Sequence, residues 1–547
     1  MREWLSTSWS LFLFVGRFSW FEFYVRCFIG TCWRHSETAC IFSSPTRVVL
    51  PAAFDTANPA HVGDGAKLCS NIVSSTDSIV QVADTPTQSG SPLSYQERSW
   101  LGGEQRLGFR PASGKSGTYN IFIPLRLSGV LNVDALDAAL TEVVRRHENL
   151  RTRITVADSQ PLRYVGTGVR VAVRLVDLSA FSDRSREDEV SRFTTEAVVE
   201  GFDLMSGLLL RAWAFRLGVT EHVLVLVVPH LVSDAASLGI LAEETMVLYA
   251  HFINRLASPL PELAVQYRSF VEMQRERVER ERAGSIRDYY LRKLAGSRPL
   301  RVPPPPGRAR SGFGGDAGEI EFEIPAPLAE RLATHTKVYR VTPFVLFLSA
   351  FKLLLSALSG EEDVLVMSQF PGRPEPYARV VGLFAQLCHL RTSLAGDPTL
   401  AEAIARVRDT IFEAWQYEWV PPLAFAEVAE SEGGKLSPFS ATMNSVPIRK
   451  SVLPRRYQHL LKDQLEISLE PFKSLDNRVA RPRAWTDLYI YLYLDGKKVV
   501  SRVLYRTDLF EGDRIQHVTS GFITVLDRML SDPACRLSAL SRLLTAA

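Results

Sequence analysis

The clearest pattern of hydrophobic and polar positions in the chain lies in residues 222–252. Six consecutive apolar residues at 223–228, rich in valine, are typical of a strand buried on both faces. From residue 238 to residue 252 the apolar positions recur every three or four residues, which predicts an amphipathic helix. The segment therefore predicts a buried strand followed by a helix, with a short polar stretch between them.

Similar patterns recur on both sides of this segment and indicate a mixed α/β protein. Predicted strands lie at residues 121–127, 364–369, 486–494 and 499–505. Predicted helices lie at residues 133–149, 342–355 and 515–530. At 547 residues the chain is long enough for more than one core, and we divide it into a first lobe, residues 91–265, and a second lobe, residues 266–547.

Residues 1–90 differ in composition from the rest of the chain. Tryptophan and phenylalanine are frequent in the first fifty residues, and the stretch at 51–92 has the small and polar composition of a linker or a disordered segment. The apolar run at 11–15 is too short for a transmembrane helix, which needs about 20 apolar residues. We expect residues 1–90 to be disordered or to precede the true start of translation. A peripheral membrane or docking segment is the alternative, although membrane association is not expected.

Charge and cysteine content restrict the classes of partner. A net charge of +3 indicates no strong attraction to nucleic acid, so no nucleic-acid partner is expected. The six cysteines, at positions 27, 32, 40, 69, 388 and 535, include no Cys-x-x-Cys pair. This spacing predicts neither a disulfide framework nor a metal site, and a reducing, cytoplasmic location is expected.

The candidate chemistry lies between the predicted strand and helix, in Pro229-His230-Leu231-Val232-Ser233-Asp234-Ala235. A histidine at the end of a buried strand can direct one ring nitrogen into a cleft, and its ordinary pKa of about 6.5 suits proton transfer near neutral pH. Asp234 can help to hold the loop. The alternative is purely structural: His230 is then a packed side chain, and Asp234 is only the N-cap of the helix, a position that aspartate often occupies.

The same stretch resembles the His-His-x-x-x-Asp-Gly motif of the condensation domains of nonribosomal peptide synthetases and their acyltransferase relatives. His230 takes the place of the second histidine and Asp234 that of the aspartate, whereas Pro229 and Ala235 replace the first histidine and the glycine. The resemblance implies that His230 is the catalytic residue and that Asp234 supports the site. It also makes Ser233 and Ala235 candidates for the wall of a substrate tunnel.

Other segments resemble motifs of that family in the expected order along the chain. They are the opening motif at 91–100, the Arg-His-Glu-x-Leu-Arg-Thr-x-Phe motif at 145–154, the Gly-x-Phe motif at 381–391, a tunnel-floor loop at 439–447 and the closing motif at 505–510. The resemblance implies an arginine partner for Asp234. Arg373 is the candidate and Arg151 the alternative, and Arg373 as a solvent-exposed turn residue is equally open. Asn444 fits the amide of the floor loop.

The resemblance implies two chloramphenicol acetyltransferase-like lobes that form a V with a central active-site tunnel. The implied reaction transfers an acyl or aminoacyl group from a thioester to an amine or hydroxyl acceptor, with no tightly bound cofactor and no metal. The thioester is carried on the phosphopantetheine of an acyl or peptidyl carrier protein, or on coenzyme A. No carrier motif and no adenylation segment is evident, so we expect a free-standing condensation enzyme of nonribosomal peptide or related secondary-metabolite biosynthesis.

Three alternatives to a carrier-dependent condensation enzyme stay open. The chain could be a coenzyme A-dependent acyltransferase or an epimerase-like relative that acts on a carrier-bound residue. It could also be a degenerate, non-catalytic relative that recruits another protein. The replacements at Pro229 and Ala235 favour the degenerate relative more than any other feature of the sequence does.

Overall fold

The described part of this computed structural model begins just after the atypical amino-terminal segment. The described residues are 90–106, 115–116, 120–157, 160–281, 284–294, 296–297, 315–417, 441–447, 452–462, 464–469, 483–484, 486–495 and 498–546. All of them belong to the compact unit Asp64–Ala547. The predictions for residues 1–89 lie outside the described residues.

The first lobe alternates strands and helices. Its strands are β1 (Ser91–Pro92), β2 (Lys115–Ser116), β3 (Asn120–Gly129), β4 (Thr152–Ala157), β5 (Gln160–Val165), β6 (Arg174–Asp177), β7 (Phe202–Asp203), β8 (Arg211–Arg216) and β9 (Glu221–Pro229). Its helices are α1 (Tyr95–Arg106), α2 (Val133–Arg146), α3 (Asp183–Val199) and α4 (Ala235–Ile253).

The second lobe has the same mixture of elements. Its helices are α5 (Tyr267–Glu281), α6 (Ser285–Leu294), α7 (Ala326–Tyr339), α8 (Pro343–Ser359), α9 (Leu400–Trp415), α10 (Arg455–Gln458), α11 (Gly512–Ser531) and α12 (Leu537–Ala546). Its strands are β10 (Gly315–Glu323), β11 (Asp363–Phe370), β12 (Gln386–Ser393), β13 (Ala441–Pro447), β14 (Leu465–Leu469), β15 (Arg483–Ala484), β16 (Leu488–Asp495) and β17 (Lys498–Arg506).

Strand β9 confirms the strand predicted from the apolar run. It lies inside a five-stranded sheet of order β14-β3-β9-β8-β6, and both of its neighbours run antiparallel to it. Alternate β9 side chains belong to two different hydrophobic clusters, with Leu226 in one and Val227 in the other. Both faces of the strand are therefore covered, which is why the sequence shows an unbroken apolar run instead of alternation.

The helix predicted at residues 133–149 is shorter than expected. Helix α2 ends at Arg146, because His147 adopts an extended backbone with φ −106° and ψ 98°. A 3₁₀ turn, Glu148–Arg151, follows. Tertiary hydrogen bonds hold this break, since the N–H of Glu148 donates to Oε1 of Gln266 at 3.2 Å. Helical periodicity alone did not contain that information.

The second lobe is organised around a seven-stranded sheet of order β12-β11-β13-β16-β17-β10-β15. The predicted hairpin is confirmed as β16 and β17, which pair antiparallel up to Asp495 opposite Lys498. The helix predicted at 515–530 is confirmed as α11, and a further helix, α12, follows it. Among the described residues no single helix has the length and apolarity of a membrane span, and α7 and α8 reach them only as a pair bent by 102°.

One strand of the second lobe completes the sheet of the first lobe. Strand β14 pairs antiparallel with β3, from Leu465 opposite Gly129 to Leu469 opposite Leu125. Leu461, just before this strand, is buried in the same hydrophobic cluster as the first-lobe helices α2 and α4. The predicted division between residues 265 and 266 separates the lobes along the sequence. In space, residues beyond that division pack into the first lobe.

Candidate active site

The predicted site forms a tight turn between β9 and α4. Strand β9 ends at Pro229, and a 3₁₀ turn, His230–Val232, follows, closed by the N–H of Ser233 on the His230 carbonyl at 3.3 Å. Pro229 has an ordinary extended backbone, φ −67° and ψ 136°, and stands opposite Asn120 at the end of the ladder. A proline at the end of a strand removes one N–H donor without breaking the ladder, so it leaves the turn intact.

The imidazole of His230 is half-buried and packs against one aromatic ring. Its centroid lies 4.4 Å from that of Trp100, which is on α1, with an interplanar angle of 53°. Among the residues that the structure describes, none gives its buried Nδ1 a hydrogen bond of ordinary geometry. Burial lowers the pKa of His230 below 6.5, and nearby backbone groups and the charge of Asp234 only partly offset it. The ring is therefore neutral at neutral pH.

Asp234 caps helix α4 and also accepts hydrogen bonds from the second lobe. Its Oδ1 accepts from the backbone N–H and the hydroxyl of Ser237, both at 2.8 Å. Its Oδ2 accepts from the N–H groups of Phe384 and Ala385, at 3.0 and 3.2 Å. One carboxylate therefore both caps α4 and binds the second-lobe segment at Phe384 and Ala385.

Arg373 lies beside Asp234, the position predicted for its arginine partner. Its Nη2 donates to Oδ1 of Asp234 at 2.8 Å, and the two side chains are 8% and 3% exposed. The same nitrogen donates to the hydroxyl of Ser237 at 2.9 Å, and the guanidinium lies 4.1 Å from the centroid of the Phe384 ring. A buried, charge-assisted pair of this kind fixes the relative positions of the two lobes at the end of the His230 turn.

Arg151, the alternative partner, lies elsewhere. Its guanidinium donates to the carbonyl oxygens of Gly166 and Arg145, which tie it to the end of β5 and to helix α2. The structure therefore brings Arg373, and not Arg151, to Asp234.

Two glycines allow the second-lobe segment to approach Asp234. Gly372 has φ +55°, and a Cβ there would lie 2.3 Å from the carbonyl oxygen of Phe384. A Cβ at Gly382 would lie 2.1 Å from the ring of Tyr267. Since neither place has room for a side chain, these glycines are needed for the loop that carries the N–H donors to Asp234.

The remaining candidate residues occupy different environments. Ala235 is exposed at the first position of α4 and does not have a left-handed backbone, so this place does not require a glycine conformation. Ser233 is fully buried, and its hydroxyl has no hydrogen-bond partner among the described residues.

The predicted tunnel-floor loop is a strand over Ala441–Pro447, and Asn444 is buried on it, held by groups of the second-lobe sheet. Its Oδ1 accepts from the N–H of Gln369 at 2.8 Å, and its Nδ2 donates to the side-chain oxygen of Gln369 at 2.7 Å and to the hydroxyl of Tyr489. These bonds fix the amide within the sheet.

A second buried charge cluster also joins the lobes. Nε2 of His147 donates to Oε2 of Glu244 at 2.9 Å, because Nδ1 of His147 accepts from the N–H of Val381 at 3.3 Å. Arg146 and Arg379 contact the same carboxylate, at 3.2 and 3.4 Å. Burial raises the pKa of Glu244, but His147 and Arg146 outweigh it and lower the pKa to about 2.

Sequence reasoning missed a polar network on the amino-terminal side of the site. Ser94 and Glu97 form reciprocal bonds at the start of α1, with the N–H of each donating to the side chain of the other at 2.8 and 3.0 Å. The Ser94 hydroxyl lies 3.0 Å from the hydroxyl of Tyr267, which donates to the carbonyl of Leu383 at 2.8 Å. The Ser-x-x-Glu spacing of a capping box was a usable signal for this helix start.

The described side chains suit proton transfer by an imidazole. His230 is a half-buried imidazole on a rigid turn with a pKa lowered by burial, and the buried ion pair of Asp234 and Arg373 lies at the end of that turn. Within the described residues, no group of three or more His, Cys, Asp or Glu side chains is arranged to hold a metal ion.

Comparison with known proteins places these features in a family. A family model described as Condensation domain matches residues 103–546. Chondramide synthase cmdD of Chondromyces crocatus is 31% identical over 447 residues, covering 79% of this chain and 11% of that protein. Phosphinothricin tripeptide synthetase PhsB of Streptomyces viridochromogenes is 28% identical over 488 residues, covering 89% and 40%. The chain spans less than half of the length of these curated relatives.

Three solved structures share the fold. The X-domain from teicoplanin biosynthesis has a TM-score of 0.69 at 24% identity, covering 83% of this chain and 98% of that one. SgcC5 from Streptomyces globisporus, in complex with (R)-(-)-1-(2-naphthyl)-1,2-ethanediol and sucrose, has a TM-score of 0.68 at 22% identity, covering 82% and 100%. The first condensation domain of the calcium-dependent antibiotic synthetase has a TM-score of 0.63 at 19% identity, covering 83% and 98%. The predicted chloramphenicol acetyltransferase-like α/β fold is confirmed.

Proposed function

The chain belongs to the condensation-domain family, as its sequence motifs predicted, and we propose that it transfers a thioester-bound acyl or aminoacyl group to an amine or hydroxyl acceptor. The product belongs to the biosynthesis of a nonribosomal peptide or a related secondary metabolite. The observation that carries the proposal is His230, a half-buried imidazole on a fixed turn with a pKa lowered by burial. A group of this kind is a general base at neutral pH.

The proposed reaction needs one proton acceptor and close positioning of two substrates. The acceptor nitrogen or oxygen forms a bond to the thioester carbonyl carbon, while His230 removes the proton of the acceptor. The carbon–sulfur bond then breaks, and the thiol leaves with a proton returned by His230. Because Nδ1 is buried, we assign Nε2 as the base. A tunnel between the lobes would make the encounter of the two substrates effectively unimolecular.

The other site residues act as support in this proposal. Asp234 and Arg373 hold the His230 turn against the second lobe through their 2.8 Å contact. Ala235, which follows Asp234, is assigned to the tunnel wall, and its exposure at the start of α4 supports the assignment. Ser233, on the other side of Asp234, is fully buried and has no exposed surface with which to line a tunnel, so it is assigned to the packing behind the wall. Asn444 is assigned to the tunnel floor and Arg151 to general support of the first lobe.

The substrates follow from the family. We assign the donor to a thioester on the phosphopantetheine of an acyl or peptidyl carrier protein, with coenzyme A as the alternative carrier. The small-molecule acceptor is assigned as an amine or a hydroxyl compound, and the diol bound to SgcC5 supports the hydroxyl. Phosphopantetheine is a substrate group here, and the proposal requires no tightly bound cofactor. We place the reaction in the cytoplasm, in line with the cysteine pattern of the sequence.

A non-catalytic relative that binds carriers or recruits partner proteins is the second candidate. Pro229 stands where the family motif has its first histidine, and Ala235 where it has glycine. The structure accommodates both residues in the turn without distortion, so neither of them separates the two candidates.

Product formation by mass spectrometry tests the proposed function. Acyl-loaded carrier protein and, separately, acyl-coenzyme A are offered with a panel of amines and alcohols to the wild type and to His230→Ala. Product from the wild type alone supports acyl transfer with His230 as base, and the productive thioester identifies the donor class. Absence of product from both proteins, with carrier binding retained, would instead support the non-catalytic candidate.

A further inference from the structure

The orientation of His230 needs an explanation, because its neighbouring carboxylate does not supply one. The four hydrogen-bonding groups of Ser237, Phe384 and Ala385, together with Arg373, occupy both oxygens of Asp234. The imidazole has a ring contact with Trp100 but no described hydrogen bond at Nδ1. The direction of the ring therefore depends on the backbone of the His230–Val232 turn.

A side chain from the Arg-His-Glu-x-Leu-Arg-Thr motif holds that backbone. Asn149, at the variable position of the motif, is fully buried, and its Nδ2 donates to the carbonyl oxygen of Val232 at 2.8 Å. Val232 ends the turn that His230 begins. A buried carbonyl that lost this donor would stay unpaired, at a cost of about 1–3 kcal/mol.

Asn149 is itself held in place from its other end. Its Oδ1 accepts from Nη2 of Arg163, and Arg163 pairs with Glu97 at 3.5 Å between Nη1 and Oε1. Arg163 also lies 4.9 Å from the ring centroid of Tyr267. The Arg163 and Glu97 side chains are completely buried, so the chain of contacts has no solvent-exposed alternative.

We propose that Asn149 is a positioning residue for His230, acting through the Val232 carbonyl and fixed in turn by Arg163 and Glu97. The amide links helix α1, which carries Glu97 and Trp100, to the turn that carries the base. The Trp100 ring, which contacts the imidazole, and the Asn149 amide, which holds the turn, are therefore both connected to helix α1. The expected loss of activity rests on the proposed function. The position of the His230 ring can be measured whether or not the protein has that activity.

Two substitutions separate the contacts of Asn149. Asn149→Asp keeps an oxygen for Arg163 and loses the donor to Val232, whereas Asn149→Ala loses both and adds no charge. Asn254→Ala is the matched control, because Nδ2 of Asn254 donates to the carbonyl oxygens of Ala250 and Leu460, at 2.7 and 3.0 Å, at the far end of α4. Thermal unfolding of all three variants measures how far each substitution destabilises the fold, separately from any effect on His230.

Nuclear magnetic resonance of protein labelled with ¹⁵N-histidine reads the imidazole directly, with the His230 signals assigned by their loss in His230→Gln. We expect Asn149→Ala to change the tautomer signals of His230 and to move its titration toward higher pH, while Asn254→Ala leaves both unchanged. We also expect kcat to fall about tenfold in Asn149→Ala and Asn149→Asp with a smaller change in KM, which corresponds to one lost positioning contact.

Unchanged His230 signals in Asn149→Ala would overturn the inference, whatever the effect on stability. So would an effect of Asn254→Ala equal to that of Asn149→Ala. If the wild type makes no product, the proposed function fails on that arm, and the resonance measurement still decides whether Asn149 positions the ring.

Discussion

Arg373 and Asp234 form a buried ion pair across the two lobes, with 2.8 Å between Nη2 and Oδ1. The carboxylate also caps helix α4, and the arginine is presented by the turn at Gly372. The second-lobe loop that carries Arg373 is therefore held at the end of the His230 turn by charge and not by apolar packing alone. Such a pair is costly to break, because a lone buried charge is left behind.

Breaking this pair should reveal strong coupling. Arg373→Met leaves the carboxylate of Asp234 without its cation and is expected to lower the free energy of unfolding by about 3–5 kcal/mol. Asp234→Asn alone should also destabilise, and the double variant should lose less than the sum of the two. Urea unfolding of the four proteins measures the coupling free energy.

The exposed pair of Arg331 and Asp527, at 2.6 Å, is the control for that cycle. Its side chains are 39% and 54% exposed, so its coupling should stay below about 1 kcal/mol. Equal coupling in the two cycles would show that burial adds nothing to the Arg373–Asp234 pair.

Gly382 should not tolerate a methyl group. A Cβ at this place would lie 2.1 Å from the ring of Tyr267, so Gly382→Ala must displace a buried tyrosine and is expected to cost about 1–3 kcal/mol. At Gly102, on helix α1, a Cβ meets nothing within 4 Å, and Gly102→Ala should be neutral or stabilising by up to about 1 kcal/mol. Thermal unfolding distinguishes the two, and a stable Gly382→Ala would contradict the close packing of the loop.

Glu244 should make stability depend on pH in a defined direction. His147 and Arg146 overcome burial and depress the pKa of Glu244 to about 2, so the carboxylate stabilises the fold above its unfolded pKa and loses this effect as pH falls toward 2. Relative to the wild type, Glu244→Gln should be less stable at pH 7 by about 3 kcal/mol, the equivalent of the pKa difference. This difference in the free energy of unfolding between Glu244→Gln and the wild type should narrow below about pH 4.5. Urea unfolding of both proteins from pH 7 to pH 3 measures this difference, and a difference that widens on acidification would refute the assignment.

Much of the fold followed from the sequence, because long apolar patterns determine which elements form. The run at 223–228 predicted β9, and the residues from 238 to 252 predicted the body of α4. The end of α2 was misplaced, since the bonds that stop it come from residues far away in the chain. Periodicity carries no information about such partners.

The site was predicted where local sequence carries a motif and missed where it depends on tertiary contacts. His230 and Asp234 stand in one short stretch, and Arg373 follows a Pro-Gly turn. Glu244 and Arg163 are charged residues in segments that show no motif of their own, and only the folded chain brings them to His147 and Asn149. The pairing of the second-lobe strand β14 with the first-lobe strand β3 was missed for the same reason.

The most direct measurement of the central claim is the pH dependence of the single-turnover rate of acyl transfer in the wild type, His230→Gln and His251→Gln. Burial lowers the pKa of His230, so the neutral base persists on acidification and the rate should fall only below pH 6.5. In His230→Gln the rate should no longer fall in this way on acidification. The rate itself should be about 10²–10⁴-fold lower than in the wild type, the usual contribution of a general base.

His251 lies on the last turn of α4, with its Nδ1 bonded to the Val247 carbonyl at 2.9 Å, and His251→Gln should keep the wild-type profile. If His230→Gln retained both the wild-type rate and its fall on acidification, His230 would not be the base, and the account of this site would be wrong.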